Sequence, residues 1–221
     1  MRLFLLWLCA AVAPLALQAE EPMNMREHMN DDPLTVLMRA DRLEWQDAKQ
    51  DALFAWDASV RIGRDFNRLL LRSEGKSADG RSQEAELEAL WERPISRWWE
   101  LLVGARHDFG AGQSQSWLAV GASGLLPWRI HLQASGYVGE GGRTALRLES
   151  DYDVRFTNRL ILQPRVEFNA YGNDARDADV ELGLRLRFEI RREIAPYLGT
   201  VWVNGAGADE LRVLAGLRAW Y

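Results

Sequence analysis

Between Val180 and Arg191 the chain reads VELGLRLRFEIR, and every second residue belongs to one class. Val180, Leu182, Leu184, Leu186, Phe188 and Ile190 are apolar, whereas Glu181, Gly183, Arg185, Arg187, Glu189 and Arg191 are charged or glycine. Successive side chains of a strand point to opposite faces, so the pattern predicts a β-strand with one apolar and one charged face. A helix would scatter both sets around its axis. The run is longer than the roughly 5–6 residues usual in soluble proteins and suits a tilted membrane strand of about 9–11. In that setting the apolar set faces lipid and the charged set a wet lumen.

The same alternation recurs along the chain. It predicts strands at 36–46 (with a bulge near Ala40 that disturbs the phase), 54–62, 68–76, 84–92, 99–108, 117–124, 128–138, 146–156, 160–171, 180–191, 195–204 and 211–221. Pro164 falls on the lipid-facing parity, where its missing N–H predicts a local bulge. About twelve strands is an even number, as single-chain bacterial barrels require. The connections also sort into two alternating sets. DAKQD, SADG, GAGQS, GEGG, GNDARDA and GAGAD are longer and rich in Gly and Asp, while RDFN, PIS, LPW, TN and REI are short. Long loops outside and short turns in the periplasm are the expected asymmetry. Trp98, Trp99, Trp128, Phe156 and Tyr221 lie near strand ends, where aromatic girdles belong. A soluble sandwich would alternate too, but strands this long and evenly spaced favour the membrane reading.

The start, MRLFLLWLCAAVAPLALQA, has the basic residue, apolar run and small-residue end of a secretory signal over 1–19. Its removal takes Arg2 and the only cysteine, Cys9, and leaves 26 basic against 32 acidic residues, a balance of −6. An acidic chain argues against nucleic acid as a partner. A secreted chain without disulfides needs another source of stability, and closing a sheet supplies one. The expected fold is therefore all-β: an antiparallel transmembrane β-barrel of about twelve strands over 34–221, preceded by a short disordered periplasmic arm at 20–33.

The inward set is nearly all charged, and neighbouring strands are expected to set opposite charges side by side. Such a lumen reads either as a structural charge ladder or as an acid-lined path for cations. No enzyme activity is expected. The mature chain holds only His28, His107 and His131. A hydrolase on a barrel would need Ser beside His at the lipid-facing rim, where His107 stands near Asp108, Ser114 and Ser116. Metal chemistry is better supported. Met23, Met25, His28 and Met29 form M-x-M-x-x-H-M in the arm. Thioether sulfur is a soft ligand that selects Cu(I), and imidazole suits copper in either state. The alternative is that these methionines are incidental to a polar tail. His131, on the lumen side near the periplasmic end, and Met38, at the same end of the first strand, are a second candidate pair.

Several blocks, in order, resemble the copper resistance protein B family. They are Leu43-Glu44-Trp45, Ala105 to Phe109 (ARHDF), Val138 to Ala145 (VGEGGRTA), Arg159 to Arg165 (RLILQPR), and Glu181 to Arg192 with Ala195-Pro196-Tyr197. The resemblance implies an outer-membrane barrel in bacterial copper handling, with a Met/His-rich N-terminal segment as copper ligand. This arm is shorter and poorer in Met and His than in members with repeated Met-rich motifs. The loops at 172–178 and 204–209 are also clipped. The expected function is copper binding at the outer membrane, sequestering or moving copper ions. The expected partners are copper, outer-membrane lipid and periplasmic copper-handling proteins. A small passive porin is the alternative.

Overall fold

The alternating pattern becomes a ring. The computed structural model describes residues 32–47, 52–78, 81–110, 114–172, 178–205 and 208–221, so the expected signal segment and most of the expected arm lie outside the described residues. The strands are β1 (Thr35–Asp47), β2 (Ala52–Gly63), β3 (Arg68–Ala78), β4 (Arg81–Pro94), β5 (Trp99–Gly110), β6 (Gln115–Leu125), β7 (His131–Gly139), β8 (Thr144–Asp151), β9 (Val154–Arg155), β10 (Leu160–Tyr171), β11 (Ala178–Phe188), β12 (Ile194–Gly205) and β13 (Ala208–Trp220). Each pairs antiparallel with its sequence neighbour, except that β8 and β9 both pair with β10. β13 returns to β1 and closes the sheet. Met38 and Tyr221 exchange both backbone hydrogen bonds at 2.8 Å, so the final residue seals the seam. β8 and β9 are one stave with a gap, so the barrel has twelve staves.

The gap has a covalent cause. It spans Tyr152 and Asp153, which stand opposite Pro164 and Gln163. Tyr152 N–H donates to the Pro164 carbonyl at 3.2 Å, but proline has no N–H to return. The register is unchanged on both sides of Pro164, so the expected bulge does not form. The ladder simply lapses. A real bulge lies in β1, where the β2 register shifts between Ala40 and Arg42. Asp41 is the inserted residue, and the insertion turns both Asp41 and Arg42 into the lumen.

Facing follows the parity. Leu182, Leu184, Leu186 and Phe188 are 43–46 % exposed, while Arg185 and Arg187 between them are buried at 5 and 3 %. The lumen is less uniformly charged than its sequence suggests. Leu70, Leu90, Leu102, Trp117, Ala119 and Tyr137 form an apolar patch on β3–β7, and Tyr197, Val201 and Leu214 form a second on β12–β13.

The charged remainder meets expectation at Arg42–Asp57, Arg68–Glu92, Arg72–Glu88 and Glu88–Arg106, which stand opposite one another on adjacent strands, and departs from it in two rows. Register places like charges side by side: Asp57, Glu74, Glu86 and Asp108 on adjacent strands of one wall, and Glu149, Glu167 and Glu181 on the other. Directly opposed like charges are destabilising. Cations reaching across the lumen relieve them. Arg147 Nη1 lies 3.4 Å from Glu74 and 2.6 Å from Glu86. Arg165 lies 3.8 Å from Asp57 and 3.0 Å from Glu149. Arg72 meets Glu88 at 3.5 Å and Glu149 at 3.7 Å. Arg42 bonds Glu74 and approaches Glu167 at 3.8 Å, and Lys76 bonds Glu181. The Arg147–Glu74, Arg165–Asp57, Arg72–Glu149 and Lys76–Glu181 pairs each join staves five apart in the ring of twelve, which are almost diametrically opposed.

Two outcomes follow from this geometry. Leu184→Arg puts a charge against the hydrocarbon and should cost about 2–4 kcal/mol. The loss should appear as heat-modifiable gel mobility that collapses at a lower temperature than in wild type, and unchanged heat resistance would reverse the assigned facing. Arg147→Gln removes the cation shared by the part-buried Glu74 and Glu86, which keep Arg42 and Arg106, and should cost about 1.5–3 kcal/mol. Glu86→Gln in the same chain should recover part of that in denaturant unfolding. Strictly additive losses would show that the two groups do not interact.

Candidate functional site

The cross-lumen pairs form a belt that divides the interior into two vestibules. At the end of the Gly- and Asp-rich connections lies a cavity of about 820 Å³, and at the opposite end one of about 270 Å³. The larger is lined by seven carboxylates (Glu74, Glu84, Glu86, Asp108, Glu167, Asp179, Glu181) against Lys76, Arg106, Arg147 and Arg212. The smaller has seven arginines against five carboxylates (Asp41, Asp57, Glu92, Glu149, Asp151). The lumen is thus acidic on one side of the belt and basic on the other. Placing the turns at 64–67, 95–98, 126–130, 156–159 and 189–193 in the periplasm, as the sequence pattern expects, makes the acidic vestibule the outer one. By length the two ends do not differ, with connections of 2–6 residues at the acidic end and 4–5 at the other.

Further hydrogen bonds tie the lumen charges to the wall. Glu88 is 1 % exposed and accepts the Tyr137 hydroxyl at 2.7 Å. Glu44 is fully buried, accepts Arg185 Nε at 2.6 Å and the Tyr197 hydroxyl at 3.0 Å, and so ties β1 to β11 and β12. Arg106 bonds Glu86 and Asp108 and lies 4.9 Å over the Tyr137 ring. Not every polar atom is satisfied within the chain. Arg42 Nε, Arg72 Nη1, Arg165 Nε, Glu88 Oε2 and Glu149 Oε1 are buried without a hydrogen-bond partner. Buried polar groups in this position are ordinarily met by ordered water.

His131 is where the sequence placed it, on the lumen wall of the inner vestibule. Its Nδ1 is 3.4 Å from Asp151 and its Nε2 is 3.2 Å from the Ser123 hydroxyl. An imidazole beside a carboxylate is a chemically apt corner for Cu(II). Met38 does not join it. Met38 lines an apolar hollow on the outer wall with Ala40, Ala58, Val60 and Tyr221, and is 51 % exposed towards lipid. The reason is the bulge after Ala40, which leaves the first part of β1 out of phase with the rest. Stepping back by twos from Leu43 and Trp45 would turn Asp41 to lipid, a conflict that already signals the inserted residue. Met23, Met25, His28 and Met29 lie outside the described residues. Among the described residues no group of three or more His, Cys, Asp or Glu side chains stands at metal-ligand spacing.

His107 does meet both serines, with Nε2 2.8 Å from Ser114 Oγ and Nδ1 2.9 Å from Ser116 Oγ. Asp108 turns instead to the lumen, where it accepts from Arg106 and from Trp117 Nε1. The imidazole therefore has hydroxyls on both nitrogens and Asp108 orients neither, unlike the His of a hydrolase triad. Sequence reasoning missed the cross-lumen partners, because no periodicity encodes which residues face each other across a ring.

The fold is similar to solved outer-membrane barrels. The NanC porin superposes with a TM-score of 0.59 at 11 % identity, covering 84 % of this chain and 99 % of that one. The KdgM porin gives 0.56 at 14 % identity, covering 83 and 98 %. These neighbours show the fold, a closed antiparallel barrel of the outer-membrane type. Sequence relatives are nearer. A copper resistance protein B homolog of Pseudomonas syringae pv. tomato is 42 % identical over 212 residues, 87 % of this chain and 72 % of that protein. Copper resistance protein B of Escherichia coli is 39 % identical over 218 residues, 90 and 74 % of the two chains. The family model described as copper resistance protein B precursor matches residues 34–221, the whole barrel, and the chain belongs to that family.

Proposed function

We propose that this chain contributes to copper resistance by holding copper at the periplasmic face of the outer membrane and passing it to periplasmic copper-handling proteins. Met23, Met25, His28 and Met29 of the 20–33 arm are its principal ligands. The observation that carries this reading is the belt. Arginines that bridge opposite walls at mid-lumen favour retention over free flow. A passive porin, the second reading, has the barrel neighbours in its favour but needs an open bore. Copper is the cargo here, and the chain's own part is to supply soft sulfur from the methionines of 20–33. His131 with Asp151 gives a harder secondary position in the inner vestibule. Met38, on the lipid side, has no part in it.

Copper titration of the refolded barrel with and without residues 20–33 tests the assignment. Truncation should abolish stoichiometric Cu(I) binding, whereas unchanged binding would move the site into the lumen. Thioethers carry no proton to lose, so the methionine contribution should persist in mild acid. The His28 contribution should weaken below about pH 6.5, as an imidazole protonates. Single-channel recording separates the porin reading, because a large steady conductance through the untouched barrel is incompatible with a bridging belt.

A further inference from the structure

The rim formed by the turns at 64–67, 95–98, 126–130, 156–159 and 189–193 carries charge that the copper reading does not use. Each of its five turns exposes an arginine: Arg64 between β2 and β3, Arg97 between β4 and β5, Arg129 between β6 and β7, Arg159 between β9 and β10, and Arg192 between β11 and β12. The exposed acids of these turns are only Asp65 and Glu193. Arg64 has Asp32 at 3.4 Å, but Arg97, Arg129, Arg159 and Arg192 have no carboxylate partner among the described residues. The rim is basic on a chain whose formal net charge is −5.

Aromatic side chains stand at the same level. Phe66, Trp98, Trp128 and Phe156 share the first four turns and are 58–81 % exposed. Rings of this kind settle at the headgroup layer, so they set the height of the bilayer boundary and place the guanidiniums beside it. Arg93, on the lipid-facing parity, lies 5.8 Å over the Trp91 ring. The turns are also short, which keeps the cations close to the boundary. On the opposite rim the described exposed charges are mixed, with Asp47, Glu140 and Asp209 beside Arg143.

We propose that this rim is a collar for the phosphates of anionic phospholipids in the periplasmic leaflet. A docked protein would gather its cations on one side of the barrel. Here they are spread over five turns around the whole circumference, as the surrounding lipid is. Guanidinium pairs with phosphate in a bidentate fork, and the attraction of arginine for an anionic surface is strongest within a Debye length of it.

The test uses the detergent-solubilised full barrel incubated with equal amounts of phosphatidylglycerol and phosphatidylcholine of matched acyl chains, with retained lipids counted by native mass spectrometry. Wild type should favour phosphatidylglycerol by about threefold or more, and the preference should fall as salt rises. R97Q/R129Q/R159Q/R192Q should bring the ratio close to one, and R143Q at the opposite rim should leave it unchanged. A wild-type ratio near one, a preference indifferent to salt, or an equal loss in R143Q would each overturn the proposal. Retained preference in the quadruple variant together with loss of an acidic protein partner would assign the rim to protein docking instead. Heat-modifiable mobility confirms that each variant is folded, and the salt series on wild type stands without any variant.

Discussion

Hydrocarbon offers no partner to a backbone N–H or C=O, and each unpaired group there costs several kcal/mol. A membrane sheet must therefore close. In this chain that requirement falls on β1 and β13, joined from Met38 and Tyr221 at one end to Asp47 and Val213 at the other. Closure with twelve staves also sets the bore. At this bore a guanidinium extended from one wall meets carboxylates on the wall opposite, as Arg147 meets Glu74 and Arg165 meets Asp57. The electrostatics of the lumen are thus a consequence of the backbone constraint. A wider ring would leave the same charges to water.

That link explains why two acidic rows can stand side by side. Glu74 beside Glu86, and Glu149 beside Glu167, would be repulsive pairs in an open sheet. Across a closed ring each row faces cations belonging to the other wall, and the repulsion becomes a condition on assembly. A stave that slipped by two residues would keep its apolar face towards lipid and its backbone bonds. It would nevertheless separate its carboxylates from their arginines. Parity cannot detect such a slip, and the belt can. Buried ion pairs are weak sources of net stability, but discriminating between registers is a role that suits them.

The period-two pattern made strand number and facing readable, because lipid on one side and charge on the other leave no tolerance for a one-residue error. It did not make loop length readable: the strands run on into the Gly- and Asp-rich connections and leave 2–6 residues there, against 4–5 in the other turns. What failed to be readable depended on two things that period does not carry. One is local departure from it. Asp41 inserts in β1 and sends Met38 to the lipid side, while Pro164 silences one ladder bond without shifting register. The other is the stagger between strands, which decides whether Glu86 faces a cation or another acid. The apolar lumen residues Leu90, Leu102 and Leu214 were on the inward parity throughout, but only the ring shows them gathered into packed patches. The Met/His arm is a different case, since its chemistry is written in residue types and not in a fold.

The axial order of charge bears on how an ion would travel. A cation arriving from outside meets the vestibule with seven carboxylates against four basic side chains, where acid rings draw cations in. Beyond the belt it meets seven arginines against five carboxylates, and past those the arginines of the rim. The potential it climbs is therefore favourable at entry and opposed towards exit. Anions experience the reverse order from the periplasmic side. A simple bore selective for cations would repeat one sign along its length. This one changes sign at the belt, so a cation that crosses gains nothing from the fixed charges beyond it. Crossing then requires a stronger sink on the far side, and soft sulfur is a kind of ligand that Cu(I) prefers to carboxylate.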